Sequence, residues 1–270
     1  MKTNSLISKL SKKYPKRIAE FYDTPGLQIN KYKEFTNNIL ICLDFDETVY
    51  DYIINNKLED KIDLIITHHP FIFGKLKNAL KNVEKAELYQ KMLFLNIPIV
   101  SYHTNFDNAI NGMNDAICEK MNFEEVLIPE NCPMMRIGML KEEMDVKSFC
   151  KYFLSVFNLN YGLLINEGTK KIKKIGIIGG GGWSFYKEAK ENGCDIYISG
   201  DVPHHGRREI ISAKFNYLDV PHEIENAFMN KFKSVLLDIN NDLNITTFVH
   251  EFPPELIEIK KTPVRASYYQ

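Results

Sequence analysis

Six of the seven histidines in this 270-residue sequence fall in four short sites: His68 with His69, His103, His204 with His205, and His222. Each site follows directly on a segment of strand character, the place where open α/β sheets gather their ligands. Only His250 stands apart. Imidazoles concentrated in this way, with carboxylates close by, are the donor set of a divalent metal centre.

The sites differ in what they offer. On a continuing strand the side chains of His68 and His69 would point to opposite faces, but Pro70 and a turn can bring both rings to one cavity, where adjacent imidazoles serve two neighbouring ions. His103 and Asp107 are four residues apart, so one helical turn stacks them, and the carboxylate is a hard ligand able to bridge or cap an ion. His222 and Glu225, three apart, offer the same geometry. Taken singly, each has an ordinary explanation: a core histidine bonded to backbone, or an acid at a helix start complementing the macrodipole. All four together, with no thiolate among them, make a His and carboxylate metal centre the better account. Such ligands suit Zn, Fe, Mn or Ni. Two ions ~3.5–4 Å apart would acidify a bridging water for attack on carbon or phosphorus, so hydrolysis is the expected reaction class.

Two other motifs compete. Leu43-Asp-Phe-Asp-Glu-Thr-Val49 follows a strand and fits the DxDxT pattern of haloacid-dehalogenase-type Mg²⁺ phosphatases, in which Asp44 would be nucleophile and Asp46 general acid. That family also needs a later GDxxxD acidic motif, and in Gly200-Asp-Val-Pro-His-His205 a histidine stands where the second Asp belongs. Helix-start carboxylates are therefore the preferred reading of Asp44 and Asp46. Gly179 to Gly182, running from strand to helix, could cradle an anion with its backbone N–H groups, or could simply be a tight turn. It has neither the spacing of a dinucleotide fingerprint nor the Lys and Thr of a P-loop.

Composition narrows the field. The chain is 44% hydrophobic and 26% charged, as in an ordinary globular protein. A net charge of −1 gives no overall pull towards nucleic acid or anionic membrane. The apolar run Met92 to Val100 is too short and too interrupted for a spanning helix, and the N-terminus has no apolar core of a secretory signal, so a cytoplasmic protein is expected. Five scattered cysteines without a CxxC pair indicate buried free thiols, not disulfides or a thiolate zinc site.

The elements that must position the histidines follow from periodicity. Strands are expected at 38–43, 64–67, 97–101, 175–178, 196–199 and 245–249, and helices at 46–57, 83–95, 108–120, 183–192, 206–213 and 223–242. Their alternation predicts an α/β fold of two lobes with a largely parallel sheet in each. The lobes are expected at 1–125 and 126–221, with 222–270 completing the site and returning to the first lobe. Phe123 to Met139 reads as the crossing between them. A weak internal repeat supports two related halves: Asp63-Leu-Ile-Ile-Thr-His-His-Pro resembles Asp195-Ile-Tyr-Ile-Ser-Gly-Asp-Val-Pro-His-His, each a strand leading into histidines, and Asp107-Asn-Ala matches Glu225-Asn-Ala.

Taken in order, the motifs resemble the GTP cyclohydrolase I type 2 homolog family, also called Nif-three-like. Tyr22-Asp-Thr-Pro-Gly-Leu-Gln28 is similar to its W-D-N-x-G-L-Q segment, Asp63 to Phe73 to its most specific motif, and His103-Thr-Asn-Phe-Asp107 to its H-x-N-x-D motif. Gly179 to Phe185 is similar to its glycine-rich turn and Ser199 to His205 to its T-G-D-x-x-x-H segment. The resemblance implies a short-form member without the inserted domain, two divalent ions (Zn, Fe or Mn) held by His68, His69, Asp107, His222 and Glu225, and His103 beside them as catalytic residue. It also implies two related α/β lobes with the metal site in the cleft between them, a ring-shaped homohexamer and a small-molecule substrate, GTP or another nucleotide. The family's late motif places its acid four residues after the histidine, at Asn226 here, and a Gly where Pro221 stands. Either Glu225 substitutes through a shift of the turn or the second site is weakened. A metal-binding regulatory protein without turnover is the alternative of a different class; the Mg²⁺ phosphatase is a third.

Overall fold

The computed structural model describes residues 1–251 and Ile257. Eleven strands among those residues form two sheets. They are β1 (Gly26–Ile29), β2 (Asn38–Cys42), β3 (Leu64–Thr67), β4 (Ile99–Ser101), β5 (Glu125–Leu127), β6 (Arg136–Asp145), β7 (Leu163–Asn166), β8 (Lys171–Ile177), β9 (Ile196–Ser199), β10 (Asn216–Asp219) and β11 (Asn244–Phe248). The first sheet runs β1-β4-β3-β2-β11 and the second β5-β6-β8-β9-β10-β7.

In the first sheet β4, β3, β2 and β11 are parallel and only β1 is antiparallel. Every residue of β3 and β4 is buried, which is why these strands read as continuous apolar runs. The second sheet departs from the expected parallel arrangement. Only β8-β9 and β9-β10 are parallel there, while β5-β6, β6-β8 and β10-β7 are antiparallel. The expected crossing at 123–139 already belongs to this sheet, because Glu125 pairs with Met139 and Leu127 with Ile137. The strands escape a periodicity reading because β5 is exposed along its length and β6 opens on Arg136. That arginine is fully buried, its guanidinium clamped on Asp115 at 2.6 and 2.8 Å and its remaining donors given to backbone carbonyls such as Ala109 O.

Successive strand residues face opposite sides, so each sheet feeds two clusters. Ile39, Ile41, Leu64 and Ile66 of the first sheet and Ile175, Ile177, Ile196 and Ile198 of the second share one central core with Phe106, Met113, Ile117, Phe228 and Phe232. Helices Met113–Met121 and Ala227–Ile239 thus lie in the layer between the sheets. The outer face of the first sheet packs Leu40, Ile65 and Ile99 against Val49, Ile53, Leu88 and Met92 of helices Glu47–Asn55 and Val83–Leu95. Tyr197 and Tyr217 of the second meet Ala189 and Ile210 from helices Tyr186–Glu191 and His204–Ser212. After residue 221 the chain runs through helix Ala227–Ile239 to β11, which lies beside β2 in the first sheet. Residues 252–256 and 258–270 of the expected C-terminal segment lie outside the described residues. Among the described residues no helix is long and apolar enough to cross a membrane, and all five cysteines are free and buried.

Candidate metal centre

β3 ends at Thr67, and the next two amides, of His68 and His69, both donate to Leu43 O at 3.1 and 3.0 Å. This anchoring turns the chain so that both imidazoles reach one place, their ring centroids 5.0 Å apart. His68 is fully buried, with the Phe228 ring 5.0 Å away. Its Nδ1 lies 2.8 Å from Tyr102 O. A carbonyl only accepts, so Nδ1 carries the proton and Nε2 presents its lone pair inward. That Nε2 faces Asp107 Oδ1 at 3.5 Å and Glu225 Oε2 at 3.8 Å. Burial holds the His68 pKa down at about 4 against the pull of Glu225.

His69 sits between two carboxylates, with Nδ1 2.8 Å from Asp44 Oδ1 and Nε2 2.9 Å from Glu225 Oε2. Burial opposes its charge, but the two hydrogen bonds outweigh burial and lift the pKa to about 10. His222 is held in the same way, Nδ1 2.6 Å from Asp201 Oδ2 and Nε2 2.8 Å from Glu225 Oε2. Its pKa rises to about 11 as Asp201 and Glu225 outweigh burial. The two rings meet at Nε2, 3.2 Å apart. Burial works against the Glu225 charge too, yet His68, His222 and His69 hold this carboxyl well below the usual range. Asp107, equally buried and facing the Glu225 charge, is pushed well above it.

His103 immediately precedes the single helical turn Thr104–Asp107, and the Asp107 amide donates to His103 O at 3.1 Å, so the pair is stacked on one turn. The His103 Nδ1 lies 3.0 Å from Asp23 Oδ1. Asp23 is itself fixed by Thr104, whose amide and hydroxyl donate to it at 3.0 and 2.5 Å. The structure brings His103 into a group with His68 and His69, and His69 into a second group with His222 and Glu225; within each group the ligand atoms all lie within 4.8 Å of one another. The sequence sets His103 apart from the ligands as a catalytic residue; its position also suits coordination.

These residues fit a divalent cation on evidence internal to the chain. His68 Nε2 and Asp107 Oδ1 are buried, face one another and have no hydrogen-bond partner, a costly state for polar atoms that a shared cation removes. Each of the four imidazoles is steered on its far side: His68 by the Tyr102 carbonyl, His69 by Asp44, His222 by Asp201 and His103 by Asp23. Partners of this kind fix ring orientation at metal sites. The acid of the late motif is Glu225, from the short helix His222–Asn226, and Gly180 makes room for it. Gly180 has φ +65°, and a Cβ there would fall on Glu225 Oε1.

Other singled-out residues lie elsewhere. His204 and His205 are exposed at the start of helix His204–Ser212, where His205 meets the Trp183 ring edge-on at 5.3 Å. Asp46 caps helix Glu47–Asn55 by accepting from the amides of Thr48 and Val49 and lies 3.2 Å from His250 Nε2. Asp44 is no helix cap, since its carboxylate holds His69. Both acids of the DxDxT motif are thereby engaged. The Gly179 to Gly182 turn bonds inward, Gly179 N to Asn114 Oδ1 and Gly182 N to Ser199 Oγ, each at 2.8 Å. Sequence reasoning misses Asp23, Asp44 and Asp201 as orienters. A signal for Asp201 is present, because the internal repeat sets it opposite His69.

Comparisons with known proteins agree with this geometry. The family model for Duf34/NIF3 (NGG1p interacting factor 3) matches residues 1–254. The chain is 30% identical to the GTP cyclohydrolase 1 type 2 homolog of Streptococcus pneumoniae over 84% of its own length and 87% of that protein's. To the protein of the same name from Ureaplasma parvum it is also 30% identical, over 91% and 94%. A Bacillus cereus protein related to NIF3 shares the fold with TM-score 0.81 at 20% identity, over 95% of this chain and 99% of that one. Reduced HcgD from Methanocaldococcus jannaschii superposes with TM-score 0.74 at 25% identity, over 92% and 97%. With two sheets of this topology, the ordered motifs and a family match spanning nearly its whole length, the chain belongs to the Duf34/NIF3 family.

Proposed function

We propose that this protein is a metal-dependent hydrolase holding two divalent ions, Zn, Fe or Mn, through His68, His69, Asp107, His222 and Glu225, with His103 beside them. The observation that carries the reading is that His68 Nε2 and Asp107 Oδ1, both buried and unpartnered, face each other, with the carboxylate that His69 and His222 share lying 3.8 Å from that Nε2. Ions held there would supply Lewis acidity and lower the pKa of a water towards neutrality. The residues do the rest. Tyr102 O, Asp44 and Asp201 keep each ring aimed; Glu225 and Asp107 supply the negative charge that neutral imidazoles lack. Loading requires His69 and His222 to give up the protons they hold towards Glu225, so uptake releases protons and weakens as pH falls.

His103, steered by Asp23 at the edge of the cluster, is the residue placed to accept or give a proton to a substrate. The substrate in this reading is a small nucleotide-like molecule, with GTP the first candidate because the curated relatives carry the name GTP cyclohydrolase 1 type 2 homolog. The reading also includes a cytoplasmic homo-oligomer, a hexamer by family resemblance.

Elemental analysis of protein purified without chelator or nickel resin tests the metal reading. About two transition-metal ions per chain, lost in the His68→Ala, His69→Ala double variant, are expected. Protein that carries no metal and takes up neither Zn²⁺, Mn²⁺ nor Fe²⁺ would sink it. Incubation of the loaded protein with GTP and other nucleotides, with product analysis, then tests hydrolysis; a loaded protein that turns over none of them leaves a metal-binding protein without this activity.

A further inference from the structure

Beside the cluster the chain leaves a line of rings in water. Phe21, Tyr22 and Phe73 are 96%, 50% and 54% exposed. Phe21 meets Tyr22 edge-on at 5.4 Å, Tyr22 is 6.4 Å from Phe73 at a tilt of 41°, and Phe73 stands 6.4 Å from the His103 ring at 74°. The line therefore runs from the surface into the His68, His69, His103 group.

These rings come from two loops, one before β1 and one after β3, that are tied to each other. The Thr24 hydroxyl donates to Ile72 O, and the Ile72 amide donates to Gln28 Oε1, both at 3.0 Å. The same first loop carries Asp23, which steers His103 and is bonded by Thr104. Phe73 is followed by Gly74 at φ +76°, a backbone state that lets the loop turn away just beyond the ring. The loop that carries Tyr22 thus also carries the carboxylate facing His103, and it is bonded to the loop that carries Phe73. Burial and the charges of Glu20, Asp23 and Asp107 act together on the Tyr22 hydroxyl and raise its pKa.

We propose that Tyr22 and Phe73 form a stacking wall for the planar heterocycle of the substrate, presenting that ring to the His103 edge of the cluster. Two half-exposed aromatic faces beside a cluster of fixed polar groups are what a flat nitrogen heterocycle recognises, because stacking is tolerant of ring identity while the polar groups select orientation. Asp23, the carboxylate behind His103, gives a phosphate no partner on this side, so the wall takes the uncharged ring of a nucleotide and not its phosphate. The inference rests on the hydrolase reading above and names the portion of the substrate that the protein grips.

The test is equilibrium binding of GMP, AMP and ribose 5-phosphate to the full chain as purified, with metal content measured on the same samples. In the wild type both nucleotides should bind about ten-fold or more tightly than ribose 5-phosphate, the scale expected of one stacked base. The Tyr22→Ala, Phe73→Ala double variant should lose that gap at unchanged metal content, and Phe73→Trp should keep or widen it. Equal binding of the three probes to the wild type, no binding of any, or a gap that survives in the double variant would overturn the wall. Loss of the gap with a changed mass by light scattering would also overturn it, assigning the rings to contact between copies. Protein that neither carries nor takes up metal yet keeps the gap would overturn the metal reading and leave the wall standing; loaded protein without the gap does the reverse.

Discussion

Just before β3 the Asp63 carboxylate accepts from the amides of Asn37 and Asn38, both at 2.9 Å; just before β9, Asp195 accepts from Lys173 and Lys174 at 2.8 and 2.9 Å. The parallel continues along the chain. Tyr102 N donates to Thr67 O and Val220 N to Ser199 O, each at 3.0 Å, and the next turns are closed by Phe106 N to His103 O and Ile224 N to Pro221 O. Even the edges correspond, with antiparallel β1 beside β4 and antiparallel β7 beside β10. The halves diverge directly beyond the strands, where the first carries His68 and His69 and the second Gly200 and Asp201. His69 belongs to both candidate ligand groups, whereas Asp201 only steers His222. Matched backbone bonds keep the scaffold, and single positions on it decide whether a turn offers a ligand or aims one.

The largest effect should come from breaking the first half at its point of divergence. Because both groups need His69, His69→Ala should remove most of the metal, while His222→Ala should remove the share of one group, measured as ions per chain. Next, Gly180→Ala should displace Glu225 and deplete the second group more than the first, since the new Cβ falls on its carboxylate; full metal content in this variant would separate Glu225 from the site. The orienters sharpen the contrast further. Asp44→Asn and Asp201→Asn should each weaken metal binding by roughly 10- to 100-fold, the first across both ions and the second for one, read by competition with a chelator of known affinity. The smallest effect tests the shared scaffold. Asp63→Ala and Asp195→Ala should each cost about 1–3 kcal/mol in chemical denaturation and leave metal content unchanged; a large asymmetry between them would break the correspondence.

Much of the central architecture is legible because buried parallel strands are apolar throughout. Leu64–Thr67 and Ile196–Ser199 stand where the sequence places them, as does helix Val83–Leu95. The edges are not legible for the opposite reason. β5 buries none of its residues, and antiparallel β7 is half solvated, so neither carries a pattern. Helix Thr3–Lys13 hides behind its lysines, although Leu6 and Leu10, four apart, are both fully buried. In the site, the histidines announce themselves by type and by position after strands. Asp23, Asp44 and Asp201 do not, because an aspartate that steers a ring across the fold has no local spacing to betray it. Asp44 has the look of a helix cap by position alone, a role that Asp46 in fact supplies.

The place of β11 has a consequence for how the chain comes into being. β2 pairs in parallel with a strand about two hundred residues later, from Asn38 with Asn244 to Cys42 with Phe248, and the side chains of Asn244 and Asn38 are joined at 3.1 Å. During synthesis the first sheet must wait with an open edge at β2 until about two hundred further residues have been made, and closing so long a loop is slow. His222 and Glu225 emerge only shortly before β11. Chain made long after β2 therefore seals the first sheet's edge and brings the second half's ligands to the first half's histidines, so an exposed strand edge and an incomplete cluster persist together in the nascent chain and disappear together.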